Sequence, residues 1–170
     1  MVEDNIEHIA AELSPEQRTT FLDVLASRSS IIRDGFAFWE ELKGQDDVAP
    51  KRSDFNPFDV PKLMPHMVLL EVQQSPADFR YRVIGSFVLE HLAENHTGAW
   101  MSQIEHQKSP SRIWSSCEQV AKTCHPMLSQ IPYVGPHAEF LYGEDIILPL
   151  LNDDGEVVNL LVFVSYIRKE

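Results

Sequence analysis

Seven histidines and two cysteines are the side chains most able to do chemistry in this chain, and their spacing limits what they can do. No two histidines stand in an HxxxH or HExxH arrangement, which would aim two imidazoles at one zinc ion from a helix. His91 and His96 are five positions apart and point away from each other on a helix. The histidines read as structural or surface residues. Cys117 and Cys124 lie on one expected helix, about 10.5 Å apart at 1.5 Å of rise per residue, too far for a disulfide or a shared metal. With Ile113, Val120 and Ala121 they make an apolar stripe, so they read first as small core residues and second as pocket lining.

Hydrolytic and calcium chemistry find little support. Gly85-Ser86 lacks the second glycine of a nucleophile elbow. Asn152-Asp153-Asp154-Gly155-Glu156 lacks the alternating ligands of a calcium loop and reads as a hairpin turn. Arg80 and Arg82 alternate with Phe79, Tyr81 and Val83 on one strand. If the aromatic side packs inward, the arginines pair with acids such as Glu71 or Asp145 on an outer face. In the reverse orientation a guanidinium enters the interior, where an anion such as a ligand carboxylate must compensate it.

Composition narrows the function further. The 170 residues suit one domain, and 44% hydrophobic against 24% charged residues is globular. Fourteen Lys and Arg against 26 Asp and Glu leave a net charge of −12, which argues against nucleic acid or an anionic membrane as partner. The longest uncharged apolar stretch, Val157 to Ile167, is well short of the ~20 residues of a membrane span. The seven glycines are never closer than eight positions, so no phosphate-cradling loop is present. Two cysteines and no signal peptide point to a reducing cytoplasm.

The elements that must position these residues change character along the chain. Ile6, Ile9, Ala10 and Leu13 recur on one helical face, and Ser14-Pro15-Glu16-Gln17 opens another helix that carries Phe21, Leu22 and Leu25. A further helix is predicted from Ser30 to Lys43 with Gly44 as its stop; residues 1–45 are thus a helical extension. Pro50, Pro57, Pro61 and Pro65 make residues 46–66 a connector without regular structure, apolar enough to lie against the domain. Residues 67–170 form the core. A hairpin of Met67–Val72 and Phe79–Ile84 leads into short helical pieces over 86–107. A longer helix from Ser109-Pro110 to about Thr123 follows, then strands at Met127–Val134, Phe140–Leu151 and Val157–Ile167. Pro149 within the second of these implies an edge or a bulge. The last strand is apolar on both faces, so something must cover both: central helices on one, N-terminal helices or a second subunit on the other.

This order of elements resembles an α+β PAS fold, a five-stranded antiparallel sheet with helices on one face. The strings "PKRSDFNPFDVPKLMPHMVLLEV", "DFRYRVIGSFVLEHLAENHTGAWMSQI", "SPSRIWSSCEQV", "PYVGPHAEF" and "DIILPLLNDDGEVVNLLVFV" resemble a single-domain bacterial PAS family from about Ser30 onward. The resemblance implies a sensor or an interaction module, commonly dimeric through N-terminal helices. It brings no cofactor: the Asn-Cys-Arg string of flavin-type PAS domains is missing, and residues 111–123 lack the histidine of haem-type ones. The cofactor is left unknown.

The resulting expectation is a non-enzymatic cytoplasmic sensor that binds a small apolar or carboxylated molecule and acts through a homodimer or a separate signalling protein. The alternative is an interaction adaptor with a filled core. Trp114, Cys117 and Val120 share one side of the long helix, and Tyr133, His137 and Phe140 are expected on the neighbouring strand. With Arg82 they form the candidate ligand site, against the simpler reading of Trp114 as a core plug.

Overall fold

The computed structural model describes residue 20 and residues 22–44, 47–132 and 137–169. Helix α1 spans Ser30–Leu42, β1 Met67–Gln74, β2 Ala77–Ile84, α2 Ser86–Leu89, α3 Arg112–Thr123, β3 Met127–Pro132, β4 Phe140–Leu151 and β5 Val157–Arg168. All strand pairs are antiparallel, in the order β2-β1-β5-β4-β3. The last strand in sequence is therefore the central one in space, which explains why it carries apolar residues at nearly every position.

Both faces of the sheet are covered by this chain itself. On one, Leu160, Val162 and Val164 of β5 join Val68 and Leu70 of β1 and Phe79 and Tyr81 of β2 on the side of α3. On the other, Leu161 and Phe163 join Leu69, Ile146 and Leu148 against Ile32, Phe36 and Trp39 of α1. The second cover is thus α1, and no second subunit is needed on that face. Gly35 makes the approach possible: a Cβ there would lie 2.4 Å from Cδ2 of Phe163. Ser29 caps α1 by accepting from the Ile32 amide at 3.5 Å. The expected stripe of Ile6 to Leu13 and the Ser14-Pro15 helix start lie outside the described residues. Residues 22–25 are helical, with Val24 buried in the α1-side core.

Three local expectations are corrected, and the expected edge at Pro149 is present. The connector carries three short 3-10 turns, Arg52–Asp54, Pro57–Asp59 and Met64–His66, and buries Ala49, Phe55 and Leu63 against α1 and the sheet. Helix α3 starts at Arg112 rather than Ser109, because Ser111 is its cap: its Oγ accepts from the Trp114 amide at 3.1 Å. Val157 shares a core with Leu160 instead of lying opposite, because the β4–β5 pairing passes from Leu150↔Asn159 to Leu151↔Val157 and skips Val158. Pro149 sits beyond the last β3 pair, Met127↔Ile147, so no ladder bond to β3 is lost there. Its carbonyl accepts from the Trp39 indole N–H at 2.9 Å. The β4–β5 link is the expected turn, with Asn152 Oδ1 accepting from the Asp154 and Glu156 amides and Gly155 at φ 80°.

Candidate ligand-binding site

A cavity of about 470 Å³ lies between the sheet and the segment that runs from α2 into α3. That is within the range of ligand pockets, roughly 300–1,000 Å³. The sheet contributes Val68, Leu70, Ile84, Val162 and Val164, and α2 contributes Val88. Alternation along each strand produces this wall: every second side chain of β1 and β5 faces the cavity, and the others face α1.

The polar groups are few. Tyr81 donates from its hydroxyl to Oε1 of Gln107 at 2.5 Å. Ser111 donates to the Gln107 carbonyl at 2.5 Å, which ties the loop to the cap of α3. Arg112 reaches from the cavity rim to the Gln130 carbonyl at 3.2 Å. His91 stacks on Tyr166 at 4.4 Å, and both line the cavity. Asp145, half-buried on β4, is part of the wall.

Asp145 is the electrostatic oddity of the site. Burial pushes its carboxyl up to about 7, and the charge of adjacent Glu144 adds to the rise. Among the described residues no hydrogen-bond donor or basic side chain meets that carboxyl. Burial, with Asp145 as a further cause, also raises the Tyr81 hydroxyl and the Cys117 thiol, so both keep their protons. His66 is driven the other way by burial, while its Nδ1 sits 3.1 Å from the Val164 carbonyl.

The residues expected to form the site are distributed differently. Trp114, Cys117 and Val120 do come together, but within the packed core and not among the cavity's lining residues. Trp114 meets Phe79 edge-on at 5.3 Å between ring centres. The cavity opens instead at the first turn of α3, at Ser111, Arg112 and Ile113. His137 and Phe140 lie behind the wall, 4.8 and 5.4 Å from the His91 ring. Tyr133 lies outside the described residues. Arg82 is not at the cavity: the β1–β2 pairing slips past it, from Leu69↔Val83 to Leu70↔Tyr81, and its half-exposed side chain pairs with Glu71 at 3.8 Å. Arg80 donates to the Gly98 carbonyl at 3.2 Å and lies over Trp100. The aromatic side of β2 therefore packs inward. The alternative pairing of an arginine with Asp145 does not form, because Asp145 faces the opposite side of the sheet from Glu71.

The sequence did carry a signal for Asp145. Two consecutive acids interrupt an apolar strand, and alternation forces one of them to each side.

A family model described as a PAS domain matches residues 27–164. No curated protein matches the chain. Among solved structures, a sensory box sensor histidine kinase from Vibrio cholerae is similar at 10% identity and TM-score 0.47, over 66% of this chain and 93% of that one. The PAS domain of the histidine kinase ThkA is similar at 13% identity and TM-score 0.40, over 58% of this chain and 97% of that one. A light-oxygen-voltage domain is similar at 13% identity and TM-score 0.47, over 66% of this chain and 84% of that one. The matched residues take in α1, the connector and nearly all of the sheet, and on that match this chain belongs to the PAS domain family.

Proposed function

We propose that this PAS domain is a non-enzymatic sensor whose cavity takes a small, mostly apolar molecule. The observation that carries the reading is the cavity of about 470 Å³ with apolar walls and a handful of polar groups. Occupancy would act on protein contacts through the segment from α2 to α3, which Gln107 holds through Tyr81 and Ser111. The carboxylated class of ligand loses Arg82, which lies at the surface beside Glu71. A homodimer and a cytoplasmic setting belong to the same proposal. Among the described residues no helix is long and apolar enough to cross a membrane.

Native mass spectrometry of the purified protein tests this reading. The expected result is a non-covalent adduct that is lost when the protein is unfolded. A bare polypeptide mass, together with no uptake of any apolar probe, refutes it.

A second reading, an interaction adaptor, draws on one observation. Leu22, Leu25 and Val48 are exposed, and Leu25 and Val48 lie on a groove of about 380 Å³ beside α1. Replacement of Leu25 and Val48 by serine separates the two readings, since it leaves adduct retention intact if the cavity is the working site.

A further inference from the structure

The cavity wall carries one acidic side chain, Asp145, and it meets no hydrogen-bond donor among the described residues. Tyr81 is matched by Gln107, Ser111 by the Gln107 carbonyl and the Trp114 amide, and Arg112 by the Gln130 carbonyl. Glu144, the neighbour of Asp145, has both carboxylate oxygens engaged on the far face, by Ser27 and by Gln130 at 2.9 Å. Asp145 has no hydrogen bond and no ion pair among the described residues, although it is half-buried on the cavity wall.

An ionised carboxylate in such a place is costly unless something donates to it. The described residues do not supply the donor, so the natural supplier is whatever occupies the cavity. Two features favour a donor that is also a cation. Glu144 adds negative potential at the same point of β4, which penalises an anionic ligand and rewards a positive one. Tyr81 and Tyr166 also stand on the wall, and aromatic rings are compatible with a cation.

We infer that the ligand class is a small, mainly apolar amine, bound as the ammonium ion, whose N–H groups donate to the carboxylate of Asp145 while its hydrocarbon part lies against the Val68, Leu70, Val162 and Val164 wall. This rests on the cavity being the ligand site and adds the identity of the group that selects the ligand. Arg112, His91 and His106 are the wall groups that could draw a carboxylate instead; the Arg112 guanidinium is already turned to the Gln130 carbonyl at the rim, His91 stacks on Tyr166, and His106 lies against the His96 ring.

Three probes of matched shape test the inference on the full chain: 4-phenylbutylamine, 4-phenylbutan-1-ol and 4-phenylbutyrate, titrated calorimetrically at neutral pH. The expected order is amine first, by about tenfold or more over the alcohol, as one charge-assisted hydrogen bond supplies, with the carboxylate weakest. In Asp145→Asn the amine should fall to the level of the alcohol, while the alcohol keeps its affinity. An amine no tighter than the alcohol overturns the inference and leaves the cavity reading standing. So does an amine preference that survives in Asp145→Asn, which assigns it to the general negative charge of the protein. A carboxylate that binds tightest transfers selection to the basic groups of the wall and also overturns it. If none of the three binds, the cavity reading fails together with the inference. The order of affinities in the unaltered protein stands as a test even if Asp145→Asn does not fold.

Discussion

Glu144 and Asp145 are consecutive in β4, and their carboxyls end on opposite faces of the sheet in opposite circumstances. Glu144 is buried on the α1 side, where the Ser27 hydroxyl and the Gln130 amide donate to it. Ser29 extends the same polar patch, donating from Oγ to the Ser165 hydroxyl at 2.7 Å. Asp145 faces the cavity, and the described residues offer it no donor. One peptide step thus joins the putting-in-place of α1 to the wall of the candidate ligand site.

The first prediction is a pH dependence set by Asp145. Its native value of about 7 lies above the ordinary 3.8, so between those limits the folded protein holds a proton that the unfolded chain has released. The contribution to stability is full below pH 3.8 and is lost as pH rises through 7. The loss is on the order of 4 kcal/mol. Asp145→Asn removes the titration, so its stability relative to the unaltered protein should improve from pH 4 to pH 8. Urea unfolding at the two pH values checks this, and parallel behaviour of the two proteins counts against a raised Asp145 carboxyl.

Trp114→Ala should destabilise the fold by roughly 3–5 kcal/mol, because the indole is buried against Phe79 in the core and not at the cavity. Denaturant unfolding measures the loss. A much smaller cost would return Trp114 to the border of an open pocket, the other reading of its position in the sequence.

Gly35→Ala should destabilise rather than stabilise, although alanine is the better helix former by about 1 kcal/mol. The added Cβ meets the Phe163 ring at 2.4 Å, so α1 or the ring must shift, at a cost of roughly 1–3 kcal/mol. Adding Phe163→Leu should recover part of the loss. A double-mutant cycle with no coupling between the two sites would show that Gly35 is not there for the ring.

Assembly gives the last prediction. Residues before Ser30 include the exposed Leu22, and Leu25 on the α1 groove, and removing them should convert a homodimer to a monomer in light scattering. The same truncation removes Ser27 from Glu144, so circular dichroism must show that the shortened chain is folded. A monomer for both chains rules out the dimer.

Local chemistry was enough for the sequence to determine most of the element list. The hairpin of β1 and β2, the turn at Asn152–Glu156 and helix α1 depend on residues close together in the chain, so spacing and turn chemistry reveal them. The need for a cover on each side of β5 was also legible, since a two-faced apolar strand admits no other solution.

Tertiary structure alone decided which cover it is and where the cavity lies. That α1 fills the second face depends on Gly35 meeting Phe163, residues far apart in the chain whose encounter no local pattern encodes. The slips at Arg82 and Val158 reverse which side chains face inward, and a one-residue shift in pairing cannot be read from alternation. Arg82 thereby moves to the surface, while the candidate site forms at the first turn of α3 rather than along the Trp114, Cys117 and Val120 stripe. The stripe marks the side of α3 that packs on the sheet. The cavity is set by the packing of separate segments, and that distance no single helix specifies.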